Sequence, residues 1–127
     1  MALDHQYAQV NGIRLHYVTA GNGPLLLFLH GFPEFWYAWK DQLEEFQCDY
    51  TVVAPDLRGY NLSDKPQDAE HYRMATLVED VRQVINHVGA QRATLVGHDW
   101  GGVVAWSFAM AFPGLLQRLI ITMPHTP

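Results

Sequence analysis

Five consecutive residues, Gly97-His98-Asp99-Trp100-Gly101, set one carboxylate among tight-packing neighbours at a junction between two kinds of pattern. The strand-like run Ala93-Thr94-Leu95-Val96 leads in, and an apolar segment with helical spacing, Gly102 to Phe112, leads away. The form is G-x-Nuc-x-G between a strand and a helix, a sharp turn that lifts one side chain above a sheet. The nucleophile position holds Asp99 and not serine. A serine there needs a base to ionise it, whereas a carboxyl with an ordinary pKa of about 3.9 is already charged at neutral pH. The N-terminus of the following helix favours that charge. Such a carboxylate can attack an electrophilic sp³ carbon and form an alkyl ester. Hydrolysis of the ester then builds an oxyanion, which needs a pair of N–H donors. The Trp100 N–H is one candidate. The second is expected from His30-Gly31-Phe32-Pro33-Glu34, where Gly31 permits a tight backbone and Pro33 fixes it, with a cis bond after Phe32 as one form open to it. The Phe32 N–H would then point across to Trp100.

These residues need a sheet to position them. Two alternating strands flank Asn11-Gly12, a strong hairpin signal. Leu25 to His30 is a continuous apolar run, as in a strand covered on both faces. Phe35 to Phe46 has helical spacing, and Tyr50 to Asp56 reads as a second buried strand. After a polar loop comes an amphipathic helix with Leu77, Val81, Val84, Ile85 and Val88 on one stripe, Thr76 as its N-cap and Gly89 at its end. A third strand runs from Ala93 to Asp99, a helix stops at Pro113, and a fourth strand runs from Gln117 to Pro124. A hairpin followed by this alternation predicts an α/β fold with a mostly parallel sheet of six strands and helices on both faces. In such sheets reactive groups collect at the carboxyl ends of strands. His30, Asp56, Asp99 and Pro124 are predicted there.

Composition narrows the class. The 127 residues are 49% hydrophobic and 17% charged, which suits one globular domain and not a disordered chain. The net charge of −5, without a basic block, argues against nucleic acid and anionic membranes as partners. The one cysteine, Cys48, excludes an internal disulfide and fits a cytoplasmic protein; it is expected to pack weakly after a helix. The N-terminal segment lacks a signal-peptide pattern, and no apolar run is long enough to span a bilayer. The seven histidines show no metal-ligand spacing, so neither a metal nor a cofactor is expected.

Three segments in order, "HGFPEFWYAW", "DLRGYNLSDKP" and "GHDWGGVVAW", resemble the α/β-hydrolase superfamily and, within it, the soluble epoxide hydrolases. The resemblance runs over essentially the whole chain. It implies Asp99 as nucleophile, the Phe32 and Trp100 N–H groups as oxyanion hole, and a loop shaped by His30, Gly31, Pro33 and Glu34. It implies a small-molecule epoxide, opened to a vicinal diol through an Asp99 ester. Haloalkane dehalogenases share the Asp-Trp pair but carry Asn where this chain has Phe32. Fluoroacetate-type dehalogenases carry Arg where Trp100 stands. Both differences favour the epoxide reading, and a dehalogenase-type hydrolase is the alternative enzyme. Asn61 and Leu62 stand where the family often has Gly and a polar residue.

In that family a helical cap with two ring-opening tyrosines follows the strand corresponding to "QRLIITMP". Two later strands bring an acid and the histidine that activates water. Residues 1–127 are therefore expected to be the N-terminal part of the hydrolase core, with cap and C-terminal strands absent and no turnover by this chain alone. The alternative of another class is a non-catalytic fragment or assembly module that associates with itself or with a complementary half. Among the remaining polar residues, His98 is expected to point away from the site, and His125 to be a loop residue and not a replacement base. Asp56, Arg58 and Asp64 are expected to form a structural hydrogen-bond network. Phe35, Trp36, Tyr37 and Trp39 are expected mainly to pack.

Overall fold

The computed structural model describes residues 3–122. Strands β1 (Asp4–Val10), β2 (Ile13–Ala20), β3 (Leu25–Leu29), β4 (Thr51–Pro55), β5 (Ala93–His98) and β6 (Leu116–Thr122) form one sheet in the order β1-β2-β4-β3-β5-β6. The hairpin turns at Asn11 and Gly12 with φ of 48° and 77°, the double left-handed geometry that Asn-Gly supplies at little cost. Its register pairs Val10 with Ile13. β2 also pairs antiparallel with β4, while β3 pairs parallel with β4 and β5, and β5 with β6. The expected fold class is thus present, with the parallel part confined to the side that carries Asp99.

Side-chain alternation sends each central strand into two cores. On one face Leu27, Leu29, Val53 and Leu95 meet helices α2 (Met74–His87) and α3 (Trp100–Ala111) through Leu77, Val81, Val84, Ile85, Val104 and Phe108. On the other, Val18, Leu26, Phe28, Val52 and Val96 meet Trp39 and Leu43, the latter from α1 (Lys40–Phe46). This explains why β3 reads as unbroken apolar sequence: all five of its residues are buried.

Three local expectations are corrected. The helix expected over 35–46 is a 3₁₀ turn at Trp36–Trp39 followed by α1. Thr76 does not cap α2. The helix starts three residues earlier, after Arg73, and the Thr76 N–H already donates to the Arg73 carbonyl at 2.9 Å. Met74 packs on the core, so tertiary contact sets the first turn. Cys48 is exposed and is not a packing residue.

The outward face of α3 is apolar. Val103, Trp106 and Met110 lie there, Trp106 57% and Met110 72% exposed. Beside β5 and β6 on the α1 face, a trough of about 720 Å³ is lined by Leu26, Phe28, Trp39, Val96, Arg118 and Ile120, among others. The Trp39 indole N–H, buried at its edge, has no partner among the described residues.

Candidate active site

The turn after β5 places Asp99 at φ 56° and ψ −120°, a conformation that side-chain-bearing residues rarely adopt. Close backbone packing holds it there. A Cβ on Gly97 would meet the Gly101 carbonyl oxygen at 2.5 Å, and one on Gly101 would meet the Leu29 carbonyl oxygen at 2.1 Å. Only glycine at both flanks lets α3 abut β3 and β5 this tightly. The Asp99 carbonyl starts α3 by accepting from the Gly102 N–H at 2.9 Å, and the side chain makes no capping bond. The carboxylate is therefore left projecting from the sheet edge, in the positive field of the helix N-terminus.

The second loop reaches it from β3. The Phe32 N–H donates to Asp99 Oδ2 at 3.2 Å. With the Trp100 N–H it holds the Asp99 carboxyl below the usual carboxylate range, Trp100 contributing more and Phe32 less. Gly31 permits this approach, since a Cβ there would lie 2.7 Å from Asp99 Cβ. The Phe32–Pro33 bond is cis. Glu34 closes the loop on itself: its N–H donates to the Gly31 carbonyl at 2.8 Å, and its Oε1 accepts from the Gly31 N–H at 3.3 Å. His30, fully buried, fastens the loop to β4. Its Nε2 lies 2.9 Å from the Leu57 N–H, which can only donate, so Nε2 accepts. Its Nδ1, 2.9 Å from the Gly31 carbonyl, therefore carries the proton. The ring is neutral, and burial pushes its pKa down.

Every residue expected at the site except those near Pro124 and His125, which lie outside the described residues, is thus brought to one edge. Asp99, Phe32 and Trp100 meet directly, and His30, Gly31, Pro33 and Glu34 build the loop behind Phe32. His98 alternates to the opposite face, as expected, where Nδ1 pairs with Thr122 Oγ1 at 2.8 Å. Asp56, Arg58 and Asp64 do not form one network. Asp56 binds His16, Arg58 donates through Nε and Nη2 to both Asp80 oxygens at 2.9 Å, and Asp64 Oδ2 accepts from the Arg14 N–H. Arg58 turns away from its sequence neighbours because α2 presents a buried acid to it.

Above Asp99 lies an open hollow of about 690 Å³, walled by Phe32, Tyr60, Trp100, Val103, Trp106 and Ile121. Sequence reasoning missed Tyr60, Val103, Trp106 and Ile121. Asp99, Val103 and Trp106 are spaced i, i+4, i+7, so helical periodicity counted from the acid could have found two of them. Tyr60 packs edge-on to His30 with centroids 4.8 Å apart, and burial followed by the Asp99 charge raises its pKa. No imidazole or carboxylate besides Asp99 lines the hollow among the described residues. Among those residues one cluster has metal-ligand atoms within 4.8 Å of one another, the exposed Asp68, Glu70 and His71, outside this site.

A family model described as alpha/beta hydrolase fold matches residues 24–127. Epoxide hydrolase 4 of Mus musculus is 47% identical over 126 residues, 95% of this chain and 35% of that protein. Epoxide hydrolase 1 of Caenorhabditis elegans is 50% identical over 119 residues, 92% of this chain and 30% of its own length. Among solved structures, an epoxide hydrolase from Bacillus megaterium superposes with a TM-score of 0.91 at 52% identity, over 94% of this chain and 43% of that one. One from Vigna radiata gives 0.93 at 38% identity, over 98% and 42%. The chain thus spans 30% to 35% of these curated relatives' lengths.

Proposed function

The chain belongs to the α/β-hydrolase family, and from that premise we propose that it is the nucleophile-bearing N-terminal part of an epoxide hydrolase core. The observation that carries this reading is the Asp99 carboxylate projecting into an apolar hollow with Phe32 and Trp100 N–H groups on it. Asp99 Oδ1 attacks a ring carbon of a small epoxide. The ring C–O bond breaks, and the alkoxide takes a proton from solvent or from a donor supplied by the rest of the enzyme. Oδ2, already held by Phe32, becomes the ester carbonyl oxygen. Water adding to that carbonyl places the developing oxyanion on Oδ2, where the two N–H groups stabilise it. Collapse releases the diol and restores the carboxylate. The Phe32 N–H is thus already on the atom that later bears the charge.

Ring opening asks for the nucleophile and a proton, which solvent can supply, whereas ester hydrolysis asks for an activated water. The lining of the hollow supplies the first and no base for the second. This chain should therefore stop at the ester. The apolar α3 face, the trough beside β6 and the β6 edge support a companion reading, that a complementary segment, or failing that a second copy, pairs with the chain here. A cytoplasmic location belongs to the same reading and rests on the lone, exposed Cys48.

The test is intact mass after incubation with styrene oxide, with Asp99→Asn alongside. One added epoxide, mapped to Asp99 and absent from the variant, is the expected result. No adduct on a chain shown folded by circular dichroism, or an adduct that survives in the variant, would overturn the reading. Chloride release from 1-chlorobutane without epoxide reaction would move it to the dehalogenases.

A further inference from the structure

A line of buried polar groups runs from the surface to the loop that carries Phe32. At its outer end His5, exposed on β1, lies with Nδ1 2.9 Å from His16 Nε2, the two rings stacked with centroids 5.1 Å apart. His16 is fully buried, and its Nδ1 lies 2.7 Å from Asp56 Oδ2. Asp56, also fully buried, takes the Trp36 N–H on Oδ1 at 2.9 Å. The next residue, Leu57, donates to His30, which donates to the Gly31 carbonyl. The segment 31–36 is therefore clamped at both ends by the end of β4, and Phe32 lies between the clamps.

We infer that His5, His16 and Asp56 form a proton-responsive positioning device for the loop that presents the Phe32 N–H to Asp99. The inference rests on the reading of Asp99 and Phe32 as partners in the reaction, and none of the three residues touches the hollow. The physical reason is that Oδ1 and Oδ2 belong to one carboxylate in a low-dielectric setting, where a change on one hydrogen bond is felt by the other. With Asp56 accepting at Nδ1, a neutral His16 keeps Nε2 as acceptor, and His5 donates to it. An added proton on the imidazole pair sets positive charge against Oδ2. That charge competes with the Trp36 N–H for the carboxylate. Imidazole is the side chain that can exchange a proton in the neutral range, so the response is sought there.

Other ionisable groups face these elements and must be separated. Tyr7 packs on His16, His30 lies near Asp56, Glu34 and Tyr60 flank Phe32, and His98 lies near Asp99. The experiment is a pH titration of the backbone amide resonances of the intact chain by ¹H–¹⁵N NMR. It compares wild type, His5→Gln, His16→Gln and His98→Gln. The Trp36 and Phe32 amides should share an inflection between about pH 5 and 8. That inflection should be lost in His16→Gln, shifted in His5→Gln and kept in His98→Gln. If His16→Gln loses amide dispersion, the exposed His5→Gln decides. No shared inflection in wild type would overturn the inference, as would one unchanged in His5→Gln or lost in His98→Gln. Failure of epoxide capture is read separately, from the Asp99 adduct.

Discussion

Asp56 and Asp99 stand just past the carboxyl ends of β4 and β5 and have opposite surroundings. Asp56 is wholly buried and accepts from the Trp36 and Leu62 N–H groups, the Asn61 amide and the His16 ring. Asp99 is exposed, receives two backbone N–H groups and keeps spare lone pairs toward a hollow. A carboxylate whose acceptor sites are filled holds structure together. One with a vacant lone pair and a fixed orientation can react. The difference comes from the turns: the glycines around Asp99 compress the backbone, while Asn61, Leu62 and Ser63 fold back over Asp56.

Asp56→Ala should have the largest effect on stability. It leaves a buried imidazole and several donors without an acceptor and should cost about 3–5 kcal/mol, read from urea unfolding. A loss below about 1 kcal/mol would mean that the filled acceptor sites of Asp56 do not hold the structure together. Gly31→Ala tests the opposite pole. Its Cβ would press on Asp99 Cβ at 2.7 Å, so capture of styrene oxide should slow about 100-fold, as for a roughly 1 Å misplacement, with the fold retained by circular dichroism. An unchanged rate would mean that the approach of this loop does not matter.

The pH dependence of capture follows from the same N–H pair. They favour the Asp99 carboxylate, so its pKa in the folded chain lies below the ordinary value. Asp99 stays ionised as pH falls, and the rate of adduct formation should drop to half only below about pH 4, the ordinary carboxylate value. A half-rate at or above about pH 4 would show that the N–H pair does not hold the carboxylate. The smallest effect belongs to a third acid. Glu79, paired with Arg82 and Gln83 on the surface of α2, titrates at about 2, below its ordinary 4.5. The unfolded chain binds its proton first. The stabilisation is therefore complete above about pH 4.5 and is lost as pH falls toward about 2. Solvent screening limits it, and Glu79→Gln should cost under about 1 kcal/mol at neutral pH by thermal unfolding.

Patterns local in sequence were legible. Asn11-Gly12 dictated the hairpin, the unbroken run at β3 marked a strand covered twice, and the glycines around Asp99 marked the turn that exposes it. The start of α2 was misread because the packing of Met74 outweighed the capping preference of Thr76. The charged loop is structural, as expected, but its partners were not legible, since Arg58 finds its acid 22 residues away on α2. Tyr60 sat in a quoted segment, but nothing in that segment says that its ring leans on His30 beside the hollow.

By itself the sequence determined the order of elements, the turn that exposes Asp99 and the two loops that flank it. Each of these follows from short-range backbone preferences and side-chain periodicity, which are written within a few residues. Only the tertiary structure decided that Phe32 and Trp100 share one carboxylate, that Asp56 is sealed by His16 from 40 residues away, and that His5 extends this line to the surface. Those pairings depend on which strands lie side by side, and strand order in a sheet is set by burial of the whole apolar surface and not by any single segment.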